Sequence, residues 1–349
     1  MEATQDKPSF AVSLARSVRR RSTAWIVITL TVVLAILIGV QAGMAQLVNA
    51  VVTGGMWALM AVGLALVFGV MNIPHFAHGE SFMVGAYVAF FVFTPIRAYL
   101  QSHPNAFLSA IAPFAGMIAA ILVGAALGAL LEKIVFYPLR QRSRQGWVMN
   151  AFLLTVGISF ILSNGALLTL GADFRGVPAY WDVPPIKILG VSLALERLVA
   201  FAVAMVAIVI FWIFLQRTRT GRAIRAVSQD ETGAEMVGIN LNGIHTLTFS
   251  LATALAALSG ATLLFMFPAY PTVGLKPLYF AWYVVMLAGL GNVAGAIVGG
   301  FMVAVLQTVT QQYIGISWED VVPVAVMILV LLFVPSGIFG SEVKGIQEQ

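Results

Sequence analysis

The chain contains no cysteine, which excludes disulfides, thiol nucleophiles and thiolate metal sites. Charge is scarce too: Asp, Glu, Lys and Arg make up 9% of its 349 residues, against about 25% in an ordinary soluble domain. The histidines, His75, His78, His103 and His245, are too scattered for most metal constellations. Lys7, Lys133, Lys187, Lys276 and Lys344 are its lysines and none follows a glycine, so the phosphate-cradling G-x-x-x-x-G-K-[ST] loop is missing. Neither H-E-x-x-H nor a serine in G-x-S-x-G occurs, and an intramembrane enzyme finds no support. No stretch is long and polar enough to form a soluble domain of its own.

What fills the chain instead is apolar: 60% of it is hydrophobic, more than a water-soluble core of this size could hide. Crossing a hydrocarbon layer of about 30 Å takes about 20 apolar residues. Runs meeting or nearly meeting that length lie at 24–41, 46–70, 107–132, 148–170, 198–216, 245–268 and 321–338. A short run, 81–96, follows Gly79-Glu80, and a long one, 278–312, is interrupted only by Gly289-Leu290-Gly291-Asn292. Splitting the long run gives about ten spans; leaving it whole, or counting 81–96 as a half-spanning piece, gives eight or nine. The expected fold is an all-α polytopic bundle with broken helices.

The net charge of +5 is carried at helix ends, which points to membrane orientation and not to nucleic acid. With a cytoplasmic N-terminus and ten spans, 14 of the 19 Lys and Arg residues fall on the inner side, which places both termini in the cytoplasm. The domain reading is a basic cytoplasmic extension over 1–22, resembling a signal-peptide n-region but followed by a retained first helix. A transmembrane domain over 23–340 follows, with a cytoplasmic segment at 217–243, and then a tail over 341–349. The outer loop 171–196, with Pro178, Pro184, Pro185 and Tyr180-Trp181, is a short cap.

Polar features stand out against this background. In Gly69-Val70-Met71-Asn72-Ile73-Pro74-His75-Phe76-Ala77-His78-Gly79-Glu80, the side chains of Asn72, His75, His78 and Glu80 sit beside two helix breakers. Ionisable groups at membrane depth cost roughly 2.5–3.5 kcal/mol each on insertion scales and usually face a cavity or one another. A path-lining element and a plain turn with Glu80 favouring a helix start both fit. In the second feature Gly291, Gly295 and Gly299 repeat at i, i+4, i+8 for close helix contact, beside Asn292, a candidate for path lining or an interhelical hydrogen bond. Gly124 and Gly128 form a further G-x-x-x-G. The third is cytoplasmic: Ser228-Gln229-Asp230-Glu231 reads as a capping box opening a helix over 229–237, closed by Gly238 after Met236-Val237. With Glu231 and Glu235 it is too acidic for anionic lipid, and a rigid knob for a soluble partner is favoured over a lipid-lying loop helix.

These segments resemble the Liv-type permease family of bacterial high-affinity branched-chain amino acid importers. The resemblance rests on Gly63 through Glu80 continuing into Gly85-Ala86-Tyr87, on Thr220-Gly221-Arg222-Ala223-Ile224-Arg225-Ala226 with Gly238-Ile239-Asn240, and on Gly289-Leu290-Gly291-Asn292 through Gly295-Ala296 and Gly299-Gly300. It spans roughly residues 45–340. It implies a two-permease, two-ATPase complex fed by a periplasmic binding protein. This chain would be one of two different permeases in the inner membrane and would bind no cofactor itself, while ATP and Mg would sit in the ATP-binding partners. Asn72, His75, His78, Glu80 and Asn292 become candidates for the translocation path, and Ser228, Glu231, Glu235, Met236, Val237 and Gly238 for coupling to the ATPase. The family also serves other small organic solutes. A stand-alone secondary transporter or channel is the competing class, for which Glu80 is almost the only mid-chain carboxylate. The orientation is open to test on this cysteine-free chain: a cysteine at Arg142 should resist impermeant thiol reagents in intact cells, and labelling from outside would reverse the topology.

Overall fold

The computed structural model describes residues 25–142, 146–177, 180–181, 183–188 and 191–340. The 1–22 extension, the 341–349 tail and Arg144 of the basic loops lie outside them. Among the described residues nine helices are long and apolar enough to cross a membrane, and Leu275–Ala288 is a shorter apolar helix. In chain order the elements are α1 Trp25–Ala42, α2 Met44–Met71, α3 His78–Ser102, α4 Ala106–Leu131, α5 Tyr137–Arg142, α6 Trp147–Leu170 and a hairpin of β1 Ile186–Ile188 with β2 Val191–Leu193. Then come α7 Leu195–Arg217, α8 Arg219–Gln229, α9 Glu231–Met236, α10 Leu241–Leu263, α11 Leu275–Ala288, α12 Val293–Tyr313 and α13 Val321–Phe333. The all-α expectation holds apart from the small hairpin before α7. The 278–312 run does split at the glycine turn, and the short run 81–96 is the middle of a 25-residue helix, α3.

α2, α10 and α12 form the centre, whereas α1, α6 and α13 leave most of their surface apolar and exposed. α2 runs antiparallel to α12, with Ala58 against Gly300 and Gly69 against Gly291. α4 runs antiparallel to α10, with Gly124 against Ala257 and Gly128 against Phe249. The most extensive contacts are α2 with α12 and α10 with α4; α3 then meets α10 as α11 meets α2, and α3 meets α4 as α11 meets α12. Exchanging α2, α3, α4 for α10, α11, α12 therefore maps the central packing onto itself, an inverted repeat of the kind that transporter folds use.

Each half of this repeat contains a break. α2 ends at Asn72, whose φ of 53° makes it the one described non-glycine residue in left-handed backbone, a conformation Asn tolerates. The chain then turns back along α2, because His78, the first residue of α3, reaches the Met60 carbonyl at 3.2 Å. Met60 lies eleven residues, about 16 Å of helix rise, before the end of α2. α3 thus starts near the middle of the bundle. α11 also starts there, after residues 264–274 turn back from the end of α10. Gly79 and Gly274 meet backbone to backbone at the two starts: a Cβ on Gly274 would lie 1.9 Å from the Gly79 carbonyl oxygen. Only glycine allows that approach.

The expected glycine stripe is corrected in detail. Gly291 has φ +77° and belongs to the turn before α12, not to its face. The closest approach falls to Gly300, where a Cβ would come within 2.6 Å of Ala58. α3 and α10 cross equally tightly, since a Cβ on Gly260 would sit 1.9 Å from the Phe82 carbonyl oxygen. Forcing a methyl into such a contact costs about 1–3 kcal/mol. Gly260→Ala should therefore lower the melting temperature of the detergent-solubilised protein. Gly157→Ala, with nothing within 4 Å, should leave it unchanged. Equal shifts in both would contradict the packing described here.

Candidate functional site: a polar cavity, two half-helices and an exposed knob

At one end of the bundle, here the mouth, a cavity of about 420 Å³ opens between α2, α12 and the start of α11. Its wall carries Gln46, Asn49 and Thr53 from α2 and Gln307, Thr308 and Gln311 from α12. Lower down it is apolar, with Met56, Trp57, Phe82, Leu263 and Val273. The Trp57 indole is fixed as floor by donating to Gln307 Oε1 (3.1 Å) and stacking on Phe280 at 4.6 Å. Charges of both signs line it as well: Arg197 donates to Asn49 Oδ1 at 2.6 Å, and Lys276 and Gln311 both bond Glu319. An amphipathic zwitterion fits such a wall, with apolar groups deep and charges shallow.

None of the sequence-derived path residues lines this cavity. His78 is fully buried against Gly63 and bonds Met60. His75 is fully buried with its ring 4.6 Å from Phe249 and 5.6 Å from His78. Glu80 accepts a hydrogen bond from Ser159 of α6 at 2.8 Å. Thr155, one turn earlier on α6, takes the Phe76 N–H at 3.2 Å and lies 3.1 Å from the Pro74 carbonyl. The break is thus clipped to α6 by two hydroxyls, Thr155 serving its backbone and Ser159 one oxygen of Glu80, whose Oε2 is buried without a partner. Asn72 is exposed at the end of α2. Asn292 caps α12 by accepting from Gly295 N at 2.8 Å, and its amide donates to the Phe339 carbonyl at 2.7 Å. Phe339 and Ile338 in turn donate their N–H groups to the last carbonyls of α11.

The wall residues escaped notice because the sequence reading looked for interruptions. The available signal was spacing: Gln46, Asn49 and Thr53 recur at i, i+3, i+7, and Gln307 and Gln311 at i, i+4, each a polar stripe on one helix face.

At the opposite end, the base, α8 and α9 project between α7 and α10. The expected helix over 229–237 is corrected: residues 219–229 form their own helix, and α9 is six residues long. Ser228 lies inside α8, donating to the Arg225 carbonyl, and the cap is Asp230, accepting from Gly233 N at 3.0 Å. Asp is as strong a cap as Ser, and its position starts the helix two residues later. Gly238, with φ +84°, ends α9 as expected: its N–H reaches the Glu235 carbonyl and that of Ile239 the Ala234 carbonyl. The closed turn leaves Met236 84% and Val237 78% exposed at the tip, with Glu235 exposed beside them. Glu231, its side chain half exposed, brings its carboxylate to 3.5 Å from the buried His245 Nε2. Burial pushes the Glu231 carboxyl above its usual range; Arg140 opposes the shift and Glu235 adds to it. Among the described residues no three histidine, aspartate or glutamate side chains gather as a metal ion would need.

Opposed half-helices between a polar mouth and a rigid apolar tip define a multi-pass membrane protein built for transport. The chain belongs to the family described as "Branched-chain amino acid transport system / permease component", which it matches over residues 46–331. It is 32% identical over 300 residues to the high-affinity branched-chain amino acid transport system permease protein LivH of Salmonella typhimurium, covering 84% of this chain and 94% of that one. Identity to the corresponding permease BraD of Pseudomonas aeruginosa is also 32%, over 84% of this chain and 95% of BraD. The ribose import permease RbsC of Escherichia coli is 27% identical over 79% of this chain and 81% of its own.

The clip between α6 and the break is testable. Thr155→Val leaves the Phe76 N–H without an acceptor at membrane depth, which costs about 1–3 kcal/mol. The variant should melt earlier in detergent, and Thr155→Ser, which keeps the hydroxyl, should restore most of the loss. A valine variant as stable as the parent would show that the clip carries no weight.

Proposed function

We propose that this chain is the membrane-spanning permease subunit of an ATP-driven importer in the bacterial inner membrane. Both termini and the base are cytoplasmic in this reading, so the cavity faces the periplasm. A second, different permease completes the pathway, two ATP-binding subunits hold ATP and Mg, and a periplasmic binding protein delivers the solute. The chain performs no catalysis of its own. The solute is a branched-chain amino acid or a similar small polar organic molecule, which suits a cavity with an apolar floor and mixed charges above it.

The observation that carries the reading is the α9 tip. An apolar pair held by a capped turn, away from the bundle and beside acidic groups, is an interface centre awaiting a soluble partner. A lipid-lying helix would instead be strongly amphipathic with a basic polar face. A stand-alone secondary transporter is disfavoured because Glu80 is bonded to Ser159 away from the cavity, and the carboxylate that does line it, Glu319, is tied to Lys276 and Gln311.

Met236→Asp or Val237→Asp places a charge at the centre of the expected contact. Truncating or charging a central interface residue costs about 2 kcal/mol or more, roughly thirtyfold in affinity. Each variant should lose co-purification with the ATP-binding subunit and lose uptake, while the isolated permease melts as before. Unchanged complex yield and uptake in both would remove the docking role.

A further inference from the structure

At the base, the helix that runs from Ala106 to Arg142 is not regular. Glu132–Phe136 forms a single π-turn between α4 and α5. Such turns inside α-helices often mark functional positions. Glu132 opens this one and is 1% exposed. Its two carboxylate oxygens are divided between two elements: Oε1 accepts from Arg140 Nη2 on α5 at 2.5 Å, and Oε2 from the Thr246 hydroxyl on α10 at 2.6 Å.

The residue before Thr246 is His245, which faces Glu231 at the first position of α9. On the other side, the Arg140 guanidinium lies over the Trp147 ring, 5.9 Å from its centroid, at the start of α6. α6 is the helix that Thr155 and Ser159 clip to the break before α3. A path therefore runs from the exposed tip through Glu231 to His245, along the chain to its neighbour Thr246 and on to Glu132. From there it runs through Arg140 and Trp147 along α6 to the start of α3 under the cavity floor.

A buried carboxylate is a costly way to hold helices together, since apolar residues of similar volume often do it as well or better. What a carboxylate adds is direction: two charge-assisted bonds tie α5 and α10 to one point at a fixed register. We propose that Glu132 is a positioning residue that transmits movement of the docked tip to the half-helices, coupling ATP hydrolysis to solute passage. This rests on the importer reading above.

The test uses the full complex in liposomes with binding protein, ATP and leucine, measuring uptake and ATP hydrolysis together. Co-purification of the parent chain with its ATP-binding subunit is checked first; its failure would overturn the importer reading and not this inference. Glu132→Gln keeps the volume and removes the charge. Thr246→Val removes only the α10 arm and is the milder variant should the first fail to assemble. Losing a hydrogen bond to a charged group is worth about 1.5–3 kcal/mol, so leucine carried per ATP hydrolysed should fall at least about tenfold in Glu132→Gln. Thr246→Val should show a smaller fall in the same ratio, and Glu132→Asp should recover part of it. Uptake and hydrolysis dropping in parallel, or a ratio equal to the parent's in both variants, would overturn the proposal.

Discussion

In a hydrocarbon layer no water completes an unmade backbone hydrogen bond, so every break in a spanning helix must be satisfied from within the protein. This chain interrupts its bundle twice and places both interruptions where neighbours can answer them. Thr155 serves the backbone of the first break. At the second, residues 264–274, Ala269 and Arg175 exchange backbone N–H bonds at 2.8 and 2.9 Å, while residues 338–339 serve the last carbonyls of α11. Part of the polar content of this apolar sequence answers these breaks locally, whereas both His75 ring nitrogens, His78 Nδ1 and Glu80 Oε2 are buried without a hydrogen-bond partner.

The breaks in turn shape the interior. Because α3 and α11 both begin near the middle, neither the mouth side nor the base side is filled by continuous helix throughout. The mouth side holds a polar-walled cavity, and the Gly79–Gly274 contact lies beneath its Phe82 and Val273 lining. Two helix starts meeting at bare backbone form a thin septum, and a small rotation of either helix would change it. Thick, interdigitated side-chain packing would resist such a change.

The helical class, the broken segments and the knob were legible in the sequence, because lipid imposes long apolar runs and glycine and proline punctuate them. The turn at Gly289–Asn292 was visible as a candidate division, and the backbone decides for the split that the sequence had left open. Less legible was anything requiring partners far apart in the chain. Nothing local to Glu80 indicates that Ser159 will take its carboxylate, and nothing local to Glu132 reveals Thr246, which lies 114 residues away. Ser228 and Asp230 are equally good caps by type, and only the backbone path decides between them. The cavity wall was visible in principle as polar stripes at helical spacing, but glutamine and asparagine lack the conspicuousness of charge.

The central claim is that the half-helix contact separates a cavity open to one side from the end that bears the knob. Single cysteines at Thr53, in the cavity wall, and at Thr248, beside Phe249 below the contact, read this directly. With nucleotide-free complex in sealed vesicles, an impermeant thiol reagent should modify the Thr53 position from the face opposite the knob and leave the Thr248 position untouched. Equal modification of both from that face would contradict the account.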